Sequence, residues 1–338
     1  MSTLPRSPST AFVVNWRCAF YSLAFLVCLM AAMATGVPEE PPTKETMTFL
    51  TKSPADADGR RRIKVKATLY MPRGHSLPIA AVVIAPSSGG VEEEREIYYA
   101  NELARMGIGT LIVDSFTSRG FTTSLYDQSA FTEWDMELDA FAALERLAGD
   151  KRFRSDRIAI MGVSKGGTVA MNTALSIRRE WAGMQTDKFA AHIAISPDCT
   201  WITQNPGNTG APVLFMLAEL DDQTPPKPCL QQADRMRQAR NTRIETRVYE
   251  GAHHAWEELG ASPEYDRRVE NYSKCRVWVE DSGEMFSANT GEPIPEADWH
   301  GWARKNCMTL GATCCGGTST LKAAATRDVI AFLRKHGF

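Results

Sequence analysis

A serine flanked by glycines, followed by an acidic loop and a histidine loop, is the feature of this chain that could do covalent chemistry. Gly162-Val163-Ser164-Lys165-Gly166 reads Gly-x-Ser-x-Gly, directly after the apolar run Ile158-Ala159-Ile160-Met161. Such a run suits a strand covered on both faces, and the residues from Thr168 onward suit a helix. A side chain at a sharp strand-to-helix corner is pushed out of the backbone path, and flanking glycines avoid Cβ clashes there. Ser164 is therefore the candidate nucleophile. A serine hydroxyl attacks poorly near neutral pH, so it needs a base beside it and a carboxylate to orient that base. Two loops offer these groups: Glu219-Leu220-Asp221-Asp222 and Gly251-Ala252-His253-His254-Ala255-Trp256. The residue types alone leave Asp221 or Asp222, and His253 or His254, as open pairs.

Those groups must be brought together by the elements between them. Ile63 to Met71 alternates apolar and polar residues as a half-exposed strand, whereas Ile79–Ala85 and Gly109–Asp114 read as buried strands. Glu92 to Met106 and Thr132 to Ala148 have helical spacing, and acidic residues near the start of the second favour the positive end of its dipole. After Ser164, strands are expected at Ala190–Ile195, Pro212–Leu217 and Arg243–Tyr249, with helices at Pro225–Arg240 and Leu321–Arg334. Strands alternating with helices imply an α/β fold with a mainly parallel central sheet and helices on both faces. In such sheets functional groups sit on loops at the carboxyl ends of strands, which is where both candidate loops fall. Between Trp256 and Thr320 the pattern decays into polar, aromatic and Cys-rich sequence, expected as an insertion or lobe at about 257–320 before the last helix.

With these pieces in place, the chain resembles the dienelactone hydrolase branch of the α/β-hydrolases. The resemblance is carried by Gly162 to Gly167, the Glu219-Leu220-Asp221-Asp222 loop and the Gly251 to Trp256 loop. Tyr99-Ala100, Leu103-Ala104, Asp114-Ser115-Phe116 and Arg119-Gly120 add to it. It spans about residues 80 to 256 and implies an α/β-hydrolase fold with the order Ser…Asp…His. It also implies Asp221 as the acid and His254 as the base. The named dienelactone hydrolases carry cysteine where this chain has Ser164, so general ester or lactone cleavage is the expectation here. The Pro86-Ser87-Ser88-Gly89-Gly90 loop stands where many relatives have a His-Gly pair. Oxyanion donors are expected from the backbone N–H of Lys165 and of Ser88 or Gly89. Arg119 could bind a substrate carboxylate bidentately, or brace its own loop. Trp256, with Trp134, Trp201, Trp299 and Trp302, could line an acyl site or be core.

The whole chain has 338 residues, 43% of them hydrophobic and 23% charged, which allows one large α/β domain, expected at 61–338. A formal net charge of −2 gives no electrostatic case for nucleic acid. Arg6 and Arg17 precede an uncharged stretch from Cys18 to Ala34 that ends Ala32-Met33-Ala34, so 1–34 is expected as a secretory signal, the alternative being an uncleaved membrane anchor. Residues 35–60 are expected as a linker or N-terminal segment. Export leaves Cys199, Cys229, Cys275, Cys307, Cys314 and Cys315, an even set in an oxidising compartment. Cys199 ends the strand before the acid loop and Cys229 opens the helix after it, so these two are expected to bond. Cys275 and Cys307 are the second expected pair, and Cys314 and Cys315 are left without an assigned partner. A metal reading of His300, Cys307, Cys314 and Cys315 lacks Cys-x-x-Cys pairs, and no metal or organic cofactor is expected. The function expected is an exported serine hydrolase acting on a small-molecule ester or lactone. A serine peptidase of related fold and a non-catalytic binding protein are the alternatives.

Overall fold

The computed structural model describes residues 40–52, 62–184, 187–259, 262–295 and 298–338. The expected signal or anchor at 1–34 lies outside them. The central sheet has eight strands, and the five innermost runs of the sequence fill its middle. In chain order they are β1 (Thr43–Lys52), β2 (Arg62–Met71), β3 (Ile79–Ala85), β4 (Gly109–Asp114), β5 (Phe153–Val163), β6 (Ala191–Ile195), β8 (Val213–Ala218) and β9 (Ile244–Tyr249). Their spatial order is β1-β2-β4-β3-β5-β6-β8-β9. β2 runs antiparallel to its neighbours β1 and β4, and every other neighbouring pair is parallel.

The apolar runs follow from burial of both sheet faces. Ile158 and Ile160 of β5 face one side, packing with Val83, Leu111 and Val113 under Met136, Ala140, Leu144 and Leu147 of α2 (Glu133–Ala148). Ala159, Met161 and Val163 face the other side with Val82, Ile84, Ile193 and Met216. They are covered by Leu103 of α1 (Tyr98–Arg105) and by Val329, Phe332 and Leu333 of α7 (Ser319–Lys335). α5 (Pro226–Gln238) brings Cys229, Ala233 and Met236 onto Val213, Phe215 and Leu217. The start of α2 is fixed by a capping box, in which Thr132 and Asp135 satisfy each other's backbone N–H groups.

Residues 43–52 fall within the expected linker or N-terminal segment and are not a connector. They form the edge strand β1, with Met47, Phe49 and Thr51 buried and their neighbours exposed. Period-two alternation was present there, but threonines and lysines on the outer face gave the stretch the composition of a connector.

The 257–320 stretch is organised as two small sheets. β10 (Glu264–Asn271) pairs antiparallel with β14 (Thr309–Cys314). β11 (Val277–Val279), β12 (Met285–Ser287) and β13 (Pro293–Ile294) form the other with β7 (Trp201–Thr203), which β11 meets in parallel. Val277, Val279, Met285 and Ile294 make a small core closed by Trp181, Trp201, Trp299 and Trp302, so these tryptophans are packing residues. Cys275 and Cys307 stand at disulfide distance beside α6 (Trp299–Asn306).

Cys199 and Cys229 also stand at disulfide distance, with Cα atoms 5.0 Å apart and a sequence separation of 30. The bond would brace the loop carrying Asp221 from both flanks. Replacing both cysteines with alanine is expected to cost about 3 kcal/mol of unfolding free energy for a loop of this size, read by urea denaturation.

Candidate active site

Ser164 leaves β5 and enters α3 (Lys165–Asn172) with φ 56° and ψ −120°, a left-handed corner that only tight surroundings impose on a non-glycine residue. The glycines around it are dictated by backbone approach. A Cβ on Gly162 would lie 2.4 Å from Gly166, one on Gly166 2.1 Å from the Ala85 carbonyl, and one on Gly167 2.4 Å from the Ile195 carbonyl. The corner is tied down by the Ser164 N–H donating to the Ile195 carbonyl at 2.8 Å. Its hydroxyl is buried, and it lies 2.8 Å from Nε2 of His254.

His254 follows β9 and Asp221 follows β8, so parallel strand ends put both beside the β5 corner. The Nδ1–H of His254 donates to Oδ2 of Asp221 at 2.8 Å. The carboxylate is further held by the Thr224 hydroxyl at 2.8 Å and by the backbone N–H groups of Thr224 at 2.7 Å and Gln223 at 3.0 Å. Burial pushes the Asp221 carboxyl up, but His254 and these donors outweigh it and hold its pKa below the usual carboxylate value. Burial likewise pushes the His254 imidazole down, and Asp221 reverses this and holds it above the ordinary histidine value. A hydroxyl, an imidazole and a carboxylate in one hydrogen-bonded row can pass a proton from the first to the second while the third steadies the charge.

The open pairs separate in space. Asp222 turns away and accepts from the backbone N–H of Thr313 at 2.8 Å and from its hydroxyl at 2.9 Å. His253 keeps its Nδ1 buried without a hydrogen-bond partner among the described residues. Thr224 escaped the sequence reading, yet Asp-x-x-Thr is the spacing at which an Asx side chain meets the backbone three residues on. That signal was present.

The Pro86 to Gly90 loop lies beside the corner and is gripped from two sides. On one side the Ser87 N–H donates to Glu96 at 3.1 Å, while Arg95 donates to the Ser87 hydroxyl at 2.9 Å. On the other, the Ser88 carbonyl accepts from Ser124 N–H at 2.9 Å and from the Thr123 hydroxyl at 2.8 Å. The Gly89 N–H is directed to the Ser87 hydroxyl at 3.3 Å, whereas the Ser88 N–H has no acceptor among the described residues. The N–H of Lys165, first in α3, has no intrahelical carbonyl to meet. Its ammonium points elsewhere, donating to the Phe131 carbonyl and to Ser124.

Two expected substrate contacts are corrected. Arg119 spends its guanidinium fork on Asp139, at 2.7 and 2.8 Å, so no free edge faces a ligand. Asp139 is wholly buried, and removing the arginine would strand a carboxylate in the core. Arg119→Ala is therefore expected to lose about 3–5 kcal/mol in urea unfolding. KM for a p-nitrophenyl ester should stay unchanged in the same variant. Trp256 is fully buried in the sheet core against Tyr249, ring centroids 5.1 Å apart, and walls no substrate space. An aromatic two residues past the histidine reads alike as rim or core until the chain path is known.

Among solved structures, esterase 2 from Thermogutta terrifontis, phosphorylated by paraoxon, superposes with a TM-score of 0.50 at 18% identity, covering 67% of this chain and 89% of that one. A candidate dienelactone hydrolase from Klebsiella pneumoniae subsp. pneumoniae MGH 78578 gives 0.47 at 18%, covering 63% and 88%. Est1E from Butyrivibrio proteoclasticus gives 0.43 at 17%, covering 61% and 90%. No curated protein matches the sequence. The sequence pattern of the dienelactone hydrolase family matches residues 65–287. That stretch holds Ser164, Asp221 and His254 and covers well over half of the chain, so the chain belongs to the dienelactone hydrolase family and is a hydrolase acting on ester bonds.

Proposed function

We propose that the chain is an exported serine esterase that cleaves small or medium carboxylic esters or lactones through an acyl-enzyme. His254 takes the proton of Ser164 as Oγ attacks the ester carbonyl, and Asp221 fixes the imidazole tautomer and steadies its positive form. The tetrahedral oxyanion lies between the N–H groups of Lys165 and Ser88. His254 then returns the proton to the departing alcohol. Water, deprotonated by the same imidazole, releases the acid and regenerates the serine.

The observation that carries this reading is the unbroken pair of 2.8 Å contacts from His254 to Ser164 and to Asp221. Ser88 is taken as the loop donor in place of Gly89 because the Gly89 N–H is already directed to the Ser87 hydroxyl. Export is supported by two cysteine pairs at disulfide distance, a feature of oxidising compartments. Among the described residues no helix is long and apolar enough to cross a membrane.

The test uses the purified chain with a p-nitrophenyl ester series and a fluorophosphonate probe. Ester turnover together with probe attachment at Ser164 is the expected result. Amide cleavage without ester cleavage would replace the reading with a peptidase, and absence of both would leave only a binding protein.

A further inference from the structure

β14 ends directly on the back of the histidine loop. Cys314 bridges His254 in parallel fashion, and the Cys315 N–H donates to the His254 carbonyl at 2.6 Å. Just upstream, Thr313 holds Asp222, the neighbour of Asp221. Just downstream, Gly317 passes so close that a Cβ there would lie 1.7 Å from the Trp256 carbonyl. The segment from 313 to 317 is thus a backbone splint for the two loops that bear the acid and the base.

That splint carries adjacent free thiols. Cys314 and Cys315 are half-buried neighbours, and Cys315 has a left-handed φ of 71°. The Cys315 thiol also donates to Oε2 of Glu258 at 3.1 Å. Glu258 is itself anchored through Oε1 to Arg95 at 2.5 Å. The neighbouring Cys315 thiol draws the Cys314 thiol below its ordinary pKa, while the Cys315 thiol is pushed up by Cys314, by burial and by Glu258. One partner is therefore the better attacking thiolate and the other the reserve.

We propose that Cys314 and Cys315 form a thiol–disulfide exchange site for low-molecular-weight disulfides, and that its oxidation to a vicinal disulfide disengages the splint from His254. In the first step Cys314 thiolate attacks one sulfur of the small disulfide. A Cys314–sulfur bond forms, the small disulfide's own S–S bond breaks, and one thiolate departs. In the second, Cys315 gives its proton to Glu258 and attacks the Cys314 sulfur, expelling the second thiolate. Two protein thiols are oxidised, one small disulfide is reduced to two thiols, and the released protons end on those thiols.

The mechanical consequence follows from reach. Adjacent Cα atoms across a relaxed peptide are about 3.8 Å apart. Disulfide-bonded residues usually have Cα atoms about 4.4–6.8 Å apart. Closing the ring must distort the 314–315 peptide, and that peptide carries the N–H held by the His254 carbonyl. The effect on turnover rests on His254 being the base, as proposed above; the exchange chemistry does not.

The experiment treats the full chain with hydroxyethyl disulfide, follows the mass of the peptide bearing Cys314 and Cys315, and measures kcat alongside. Loss of two hydrogens from that peptide, with kcat down by about ten- to a hundredfold and recovered by a monothiol, is the expected result. Cys314→Ser should show no mass loss and keep its turnover under the same treatment. A persistent mixed adduct, or no reaction, would overturn the exchange site. Ring closure with kcat unchanged would overturn the link to His254. A reduced protein that neither turns over esters nor labels at Ser164 would instead sink the esterase reading, and the mass change would then judge the exchange site alone.

Discussion

Ser164→Ala is expected to lower kcat for a p-nitrophenyl ester by about 10⁵–10⁶-fold, with the fold intact. The size follows from what the hydroxyl does in the proposed mechanism: it is the atom that becomes acylated, and its proton is the one His254 accepts. The safety of the fold follows from what it does not do. The bonds of Ser164 that hold the corner are made by its backbone, to Ile195 at 2.8 Å and from Thr168 at 2.9 Å. Alanine keeps both and pays the same left-handed φ. Circular dichroism and urea unfolding should therefore match the parent chain while fluorophosphonate attachment disappears. A second change at His254 should add little to the loss, because groups that act as a unit lose most of their effect together. Retained turnover in Ser164→Ala would move the nucleophile elsewhere and leave Ser164 as an ordinary strained turn residue.

The parts of this site that could be read in the chain are those that leave a local mark. The corner is written as an apolar run meeting glycines whose Cβ atoms have no room, and the sheet centre as apolar runs too short for helices. Thr43–Lys52 carried its alternation as well, yet the outer face of an edge strand is polar and resembles a connector. What the chain could not express is direction. Asp221 and Asp222 are adjacent and identical in type. One turns to His254 and the other to Thr313, a partner 91 residues away whose strand had no legible pattern. Arg119 shows the same limit, since a forked cation suits a ligand and a buried aspartate equally well until Asp139 is found opposite it. Disulfide pairing lay between these cases. Cys199 and Cys229 mark the ends of neighbouring elements, so topology sufficed.

Asp221→Asn is expected to cost about 10⁴ in kcat and to move the acidic limb of the rate profile. In the proposed mechanism the free enzyme acts when the His254 imidazole is neutral, so kcat/KM falls as pH drops through its pKa. In the parent chain Asp221 overcomes burial and holds that pKa above the ordinary value of 6.5, which places the limb on the high side of an isolated histidine. The asparagine keeps the burial and removes the negative charge, so the imidazole should release its proton at lower pH. The limb shifts to more acid pH while the plateau drops, because the wrong tautomer is now stabilised. A neighbour makes the test exacting. Glu257 is wholly buried, without hydrogen-bond partners among the described residues, and burial pushes its carboxyl up to about 7, inside the same pH range. If Glu257 set the limb, Asp221→Asn would leave its position nearly unchanged and Glu257→Gln would abolish it. If His254 sets it, Asp221→Asn moves the limb, and Glu257→Gln shifts it only slightly to lower pH by removing a nearby negative charge.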